Sequence, residues 1–286
     1  MQNIPFVAYT CPIDGTSLFE KDNSFRCDNG HNFDRAKKGY INLLPVQHKR
    51  SRFPGDSKEM VMARKLFLNT RKYQELVEQL YVLIKQLVVN KSHFNLLDAG
   101  CGEGYYSDYL FNLFESDNIP ITFSMIGLDI SKFAILEAAK RNKHISWLVA
   151  TNRTPPISSQ CIDIILCVFG FYSFSGFDKV LTKGGSILLV EPGPNHLIEL
   201  REIIYDKVKQ DKPNRYTEAD KYNFKQGFSQ QVAFKIYQLT REHLELLLLM
   251  TPHFFRINEE GRKKISNIEV MDISVDFNII VFNRLK

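Results

Sequence analysis

Two sets of residues have types and spacings that could do chemistry. The run Asp98-Ala99-Gly100-Cys101-Gly102-Glu103-Gly104 sets a carboxylate ahead of three glycines in alternate positions. Glycine tolerates the positive φ and the close backbone approach that a ligand-cradling turn requires. The free N–H groups of such a turn, at the start of a helix, face whatever binds above the strand ends. Asp129 follows some 25 to 30 residues later, at the end of the next apolar run, where a carboxylate can take both hydroxyls of a ribose. G-x-G-x-G is one residue shorter than the dinucleotide fingerprint G-x-G-x-x-G, which seats a pyrophosphate. A nucleoside ligand is therefore expected at Asp98, Gly100, Gly102, Glu103, Gly104 and Asp129; the bland alternative is a generic glycine-rich βα turn.

The second set is Cys11, Asp14, Cys27 and His31, in the order C-x2-D-x12-C-x3-H. A zinc ribbon of this size has C-x2-C and C-x3-H on two tight turns, so that four ligands close a tetrahedron. Here a carboxylate holds the second place, and an oxygen ligand binds zinc more weakly than a thiolate. Two readings stay open: bound zinc, or a degenerate module in which Cys11, Cys27 and His31 are packed by their neighbours. So small a piece rarely holds together without a metal or support from another domain. Phe19, Phe25, Phe33 and Tyr40 supply a small core in either case. Two further groups carry charge or rigidity. His48, Lys49, Arg50 and Arg52 form a basic cluster between Pro45 and Pro54, suited to phosphate contact or to plain solvation. The loop Glu191-Pro192-Gly193-Pro194-Asn195-His196 is rigid by composition. It is expected to set His196 in the first turn of the next helix, either facing the ligand or as a solvent-facing cap.

The elements that must position these residues form an alternating α/β pattern. Leu96 to Ala99 end an apolar strand, and Tyr105, Tyr106, Tyr109, Leu110, Leu113 and Phe114 recur at helical spacing. Asp129 ends the second strand, Ser131 caps a short helix, and "ISWLVATNRTPPIS" is the third strand with its exit loop. Cys161 to Phe171 is a nearly unbroken apolar run, suited to a central parallel strand. Tyr172, just beyond it, either stacks on a ligand or packs. A helix, a Gly184-Gly185 turn and a fifth strand follow, then an insertion-like polar stretch over 206–225 and the helix "TREHLELLLLM". The last two alternating segments, within "VMDISVDFNIIVFNR", fit a terminal hairpin. Upstream, Asp56 or Ser57 caps a helix whose apolar side carries Met60, Ala63, Arg64, Phe67 and Leu68, and a second helix runs from Tyr73 to about Val89. The expected division is a ribbon-like module over 1–44, a linker and covering helices over 45–90, and an α/β domain over 91–286.

The composition, 44% hydrophobic and 24% charged, is that of a soluble globular protein. No apolar run approaches the roughly 18 residues of a membrane span. The start shows no basic region followed by a long apolar stretch, so no secretory signal is visible and the cytoplasm is the expected compartment. A net charge of +5 suits an RNA or nucleotide partner without requiring one. Five cysteines, an odd count, point to thiols or metal ligands, not a disulfide framework. Cys161 and Cys167 read as inert core residues and Cys101 as a small filler in the turn.

The D-x-G-C-G-E-G run resembles the first motif of class I methyltransferases that bind S-adenosylmethionine (SAM). In those enzymes the residues leaving the third strand touch the adenine, which nominates Thr151 and Asn152. Many that act on exocyclic amines carry N-P-P-Y or D-P-P-Y after the fourth strand, and this chain has nothing of that form. Taken together, "CPID", "CDNGHNFDRAKKGYINLLPVQHKRSRFPGDSKEMVMARKLFL", "LLDAGCGEGYY", "PGPNHLIEL" and "MTPHFFR" resemble the bacterial 23S rRNA (guanine-N1)-methyltransferases of the RlmA family, over almost the full length. The resemblance implies an α/β, Rossmann-like class I SAM domain behind a small zinc ribbon that binds RNA. It also implies methylation of one guanine in a 23S rRNA hairpin, commonly by a dimer. Carried over by motif, zinc falls to Cys11, Cys27 and His31 with Asp14 in place of a cysteine, and SAM to Tyr73, Gly102, Glu103, Asp129 and His196. Of these, Tyr73 is nominated by the resemblance alone. N1–H is weakly acidic, so some group must take its proton, and Glu191 is the candidate. Two alternatives remain: a SAM methyltransferase acting on a small molecule, and a non-catalytic RNA-binding or resistance factor.

Overall fold

The computed structural model describes residues 1–285 apart from 46, 48–50, 52, 53, 206 and 209–215. The basic cluster of His48, Lys49, Arg50 and Arg52, and part of the polar stretch 206–225, lie outside the described residues. The chain opens with β1 (Gln2–Asn3). A small antiparallel sheet follows, of β2 (Phe19–Lys21), β3 (Ser24–Arg26) and β4 (Asn32–Asp34), then β5 (Ile41–Asn42). Helices α1 (Lys58–Asn69) and α2 (Gln74–Val88) lead into β6 (His93–Ala99), α3 (Tyr105–Ser116), β7 (Thr122–Asp129), α4 (Lys132–Arg141) and β8 (Ser146–Val149). After these come β9 (Ile162–Val168), α5 (Phe174–Val180), β10 (Leu181–Pro192) and α6 (Ile198–Ile204). The chain ends with β11 (Phe224–Thr240), α7 (Arg241–Leu249), α8 (Glu259–Ser266) and β12 (Val270–Arg284).

The large sheet runs β11-β12-β10-β9-β6-β7-β8-β5, with β1 beside the start of β7. Strands β5 to β10 pair in parallel and β12 is antiparallel to both β10 and β11. The chain goes outward from β6 through β7 to β8 and returns to the other side of β6 as β9. That reversal opens a crevice at the carboxyl end of β6, where α/β sheets hold their ligands. Every residue of β9 is buried, as its unbroken apolar run requires for a strand covered on both faces.

Helices α1, α2, α3, α4, α6 and α7 bury their apolar sides against one face of the sheet. The other face is covered by α5 and by the amino-terminal residues Phe6, Tyr9, Leu18 and Phe25, which lie on Ile126, Leu128 and Leu148. Tyr9 meets Phe6 and Phe25 edge-on at 5.2 and 5.3 Å. The ribbon thus takes the place of a helix layer, and β1 and β5 add its chain to the main sheet. This is the outside support that so short a module needs.

Several expectations are revised. Ser57 is the cap of α1, its Oγ accepting the Met60 N–H, and Val61 is buried where Met60 is not. The Gly184-Gly185 pair lies within β10 at a register shift. The terminal hairpin is not contained in 270–284: β12 is one continuous strand whose partner is β11, a strand that the sequence pattern does not reveal. β11 is an edge strand with a largely solvated outer face and two register shifts, so its polar residues break the alternation by which strands are read.

Candidate methyl-donor site and metal centre

Gly100, Gly102 and Gly104 all have positive φ, at +93°, +56° and +84°, so the three alternate glycines are required by the backbone. The N–H groups of Gly100 and Cys101 both donate to Leu128 O, at 2.7 and 3.0 Å, which ties the turn to the end of β7. Trp147 sets its height: a Cβ on Gly104 would lie 2.9 Å from the indole, and one on Gly127 only 2.1 Å from it. The same indole donates to Asn142 O at 2.7 Å, so it is not free to move aside.

Three carboxylates surround the turn. Asp129 accepts the Gly102 N–H at 2.9 Å and the Ser131 N–H at 2.7 Å, one on each oxygen. The sequence-predicted turn and its distant acid are thus brought together at adjoining strand ends. Asp98 is 1% exposed and accepts the Ser107 hydroxyl at 2.5 Å. Burial pushes its pKa up to about 7, helped by the charges of Asp129 and Glu103 and opposed by the Ser107 hydrogen bond. Glu103, also 1% exposed, takes Arg141 Nη2 at 3.0 Å on one oxygen. Burial raises its pKa and the neighbouring Arg141 and Arg64 charges oppose the rise.

Buried polar atoms normally find partners. Among the described residues five side-chain atoms do not, and four of these are Tyr73 Oη, Glu103 Oε1, Tyr105 Oη and Asn152 Oδ1. Glu103 belongs to the turn, Tyr105 opens the helix after it, and Asn152 Nδ2 lies 3.8 Å from where a Gly100 Cβ would stand. Unsatisfied donors and acceptors gathered at a crevice are what a site made for a polar ligand contains. SAM, with its carboxylate, ammonium, ribose hydroxyls and adenine, has the groups to satisfy them.

The other nominated residues sit around this core. Asn152 leaves β8 and donates from Nδ2 to Phe171 O at 2.7 Å, while Thr151 Oγ1 accepts the Arg153 N–H. Tyr73 precedes α2 and is fully enclosed, its ring against Phe67, Phe277 and, at 6.4 Å, His196. Burial raises its hydroxyl pKa. His196 is not in the first turn of a helix, as the sequence suggested. Leu197 caps α6 in a left-handed conformation and His196 lies in the loop ahead of it. Its Nδ1 accepts the Asp276 N–H at 3.4 Å, so Nε2 carries the proton, and burial drives its pKa down to about 3. Asp276 holds that loop from beneath, accepting the Asn195 N–H, with its carboxylate 2.4 Å from where a Gly193 Cβ would be. Glu191, near the end of β10, accepts the Tyr216 hydroxyl at 2.7 Å. Tyr172 packs between Phe174 and Tyr216. Sequence reasoning missed the role of Arg64, taken there for part of an apolar side. It ion-pairs with Asp56, donates to Met250 O at 3.2 Å and lies over Gly102, 3.7 Å from where a Cβ would stand. No spacing rule singles out such an arginine, whose position comes from α1 folding over the crevice.

In the ribbon, Cys11 and Asp14 occupy one tight turn and Cys27 and His31 another, each with a left-handed glycine, Gly15 and Gly30. Their donor atoms converge: His31 Nδ1 is 3.5 Å from Cys11 Sγ, 3.3 Å from Cys27 Sγ and 3.0 Å from Asp14 Oδ2. Tetrahedral zinc with bonds of about 2.0–2.3 Å has edges of about 3.3–3.8 Å; the two His31–cysteine distances fall in that range, the His31–Asp14 distance is shorter, and all four donor atoms lie within 4.8 Å of one another, close enough to share one ion. Asp14 Oδ1 is anchored by the Thr16 N–H and hydroxyl, which turns Oδ2 toward the other three donors. Such second contacts orient a metal ligand. The substitution of a carboxylate for a cysteine has therefore left a complete four-donor set.

Comparisons with known proteins agree with this geometry. Residues 9–52 match the RlmA amino-terminal zinc-ribbon family, and residues 96–188 match a methyltransferase domain family. A Bacillus subtilis (strain 168) protein, YxjB, assigned as a 23S rRNA (guanine-N(1)-)-methyltransferase, is 26% identical over 284 residues, covering 98% of both chains. The 23S rRNA (guanine(748)-N(1))-methyltransferase of Streptomyces fradiae is 30% identical over 191 residues, 66% of this chain and 65% of that one. A Micromonospora griseorubida protein assigned to the guanine-N(1) reaction is 28% identical over 207 residues, 66% of this chain and 67% of that one. Among the described residues no helix is long and apolar enough to cross a membrane. With a four-donor ribbon of the RlmA amino-terminal type on one face of its sheet and a SAM-type glycine turn at the switch point, the chain is a SAM-dependent methyltransferase similar along its whole length to a protein assigned as a 23S rRNA (guanine-N(1)-)-methyltransferase.

Proposed function

We propose that the protein transfers a methyl group from SAM to N1 of a guanine in a hairpin loop of 23S rRNA. The observation that carries this reading is the pairing, in one chain, of an RlmA-type ribbon with a glycine turn ringed by unsatisfied buried polar atoms. Bound there, SAM supplies a methyl group already activated by its sulfonium charge. The chain must then align the acceptor nitrogen with the methyl carbon and provide for the N1 proton.

In this reading Asp129 receives the ribose hydroxyls, Thr151 and Asn152 border the adenine, and Asp98, Glu103, Tyr73 and His196 meet the remaining polar groups. The backbone of Gly100, Gly102 and Gly104 makes room for them. Glu191 is the group assigned to the N1 proton, supported by its place near the carboxyl end of β10 and by the Tyr216 hydroxyl that orients it. Zinc on Cys11, Asp14, Cys27 and His31 holds the ribbon in shape for RNA. The division into a ribbon over 1–44, a linker with covering helices over 45–90 and a SAM domain over 91–286 belongs to the same reading. So do the cytoplasm and a homodimer, on the strength of the family resemblance.

Primer extension on 23S rRNA from cells lacking this protein tests the assignment. A methyl on N1 blocks the Watson–Crick face and stops reverse transcriptase. One stop present in the parent strain should vanish in the deletion and return with the intact gene. An unchanged stop pattern would refute the substrate.

A further inference from the structure

Resting on the rRNA reading above, we propose that Phe169 and Phe171, displayed where β9 ends, are the stacking platform that holds the unpaired target guanine before the methyl donor. The chain lacks the polar tetrapeptide that many methyltransferases carry at this strand end, and two aromatic rings stand there instead. They are 43% and 57% exposed, directly after a strand in which every residue is buried. A single exposed ring is ordinary. Here Phe169 is also held at φ +53°, a left-handed conformation that is strained for a bulky residue and that clusters at functional sites.

Both rings are fixed in place. Phe169 lies within 14° of parallel to His196 at 6.3 Å, and both rest on buried Phe277, at 5.0 and 4.8 Å. Phe171 has the Arg153 guanidinium 4.6 Å from its ring centre, and its carbonyl accepts from Asn152. Gly170 between them lets this segment lie on the glycine turn: a Cβ there would come within 3.2 Å of Ala99 O and 3.6 Å of Gly100 Cα. The rings therefore flank the donor site itself.

The chemistry asks for such a surface. Once the N1 proton is removed, the lone pair that takes the methyl lies in the plane of guanine, so the methyl must arrive at the ring's edge while the enzyme grips its faces. Aromatic faces hold an unstacked base without occupying its Watson–Crick edge. Arg153 adds positive charge and a cation–π contact beside Phe171, suited to a flanking phosphate.

The test is the double variant Phe169→Leu/Phe171→Leu, which keeps apolar bulk at two exposed positions, beside Phe169→Tyr/Phe171→Tyr, which keeps the rings. Each is assayed on 23S rRNA from the deletion strain, with SAM affinity measured by calorimetry. Loss of stacking is expected to raise KM for RNA about five- to hundredfold, with the SAM Kd within about twofold of wild type. The tyrosine form should stay near wild type. A leucine form with unchanged KM, or one weakened equally toward SAM, overturns the platform while leaving the substrate assignment standing. A wild-type protein inert on this RNA removes the substrate assignment and the platform together.

Discussion

Asp98→Asn should stabilise the ligand-free protein by an amount that grows as pH rises from about 4 and is complete above about 7. The wild-type carboxyl is buried beside the Asp129 and Glu103 charges and keeps its proton to about pH 7, against 3.8 for an exposed aspartate. Between those values the folded form binds more protons than the unfolded one. Stability therefore falls as pH rises from about 4 to 7 and then levels off. The full span is 3.2 pKa units, or about 4 kcal/mol as an upper bound. Between pH 5 and pH 8 the same relation gives about 2.5 kcal/mol. Asparagine carries no proton to lose and can still accept from Ser107. Urea unfolding of both proteins at pH 5 and pH 8, without SAM, isolates the effect: the variant's advantage should grow by about 2.5 kcal/mol between the two. The comparison of differences cancels whatever the amide does independently of pH. Equal differences at both pH values would mean that Asp98 is ionised in the fold, and the account of a protonated acid beneath the turn would fail.

Three further outcomes are expected. Metal analysis of the purified protein should find zinc near one per chain. Asp14→Cys should slow its removal by a chelator and Cys27→Ser should lose it, because a thiolate holds zinc better than a carboxylate; zinc unaffected by Cys27→Ser would place the metal elsewhere. Gly104→Ala combines a φ of +84° with a Cβ 2.9 Å from Trp147. It should lower stability by about 1–3 kcal/mol and abolish SAM binding in calorimetry, whereas near-normal binding would show that the turn can shift. Tyr73→Phe removes a buried hydroxyl that has no partner. It should therefore stabilise the ligand-free chain by about 1 kcal/mol while weakening SAM binding, and a destabilised variant with normal SAM affinity would contradict the assignment.

The local devices of the site were legible because they are written in consecutive residues. Three alternate glycines demand positive φ, the buried run of β9 demands a central strand, and C-x2-D and C-x3-H are each short enough to sit on one turn. Asp129 could be paired with the turn because consecutive parallel strands of such a sheet end at the same edge. The orphaned hydroxyls of Tyr73 and Tyr105 were not legible, since a missing partner is a property of surroundings. Nor was β11, whose polar face is set by its place at the sheet edge.

What the sequence determined alone is the sign and type of each backbone bend and the identity of the donor atoms, because these follow from side-chain chemistry within a few residues. Tertiary structure decided which groups share a space: Asp14 completing the ribbon's donor set, Arg64 lying over Gly102, Trp147 under Gly104, and Phe169 beside His196 on Phe277. These contacts join positions tens to hundreds of residues apart. They exist only after the sheet has closed and its two faces are covered, when burial fixes which polar atoms lose water and which charges must face one another.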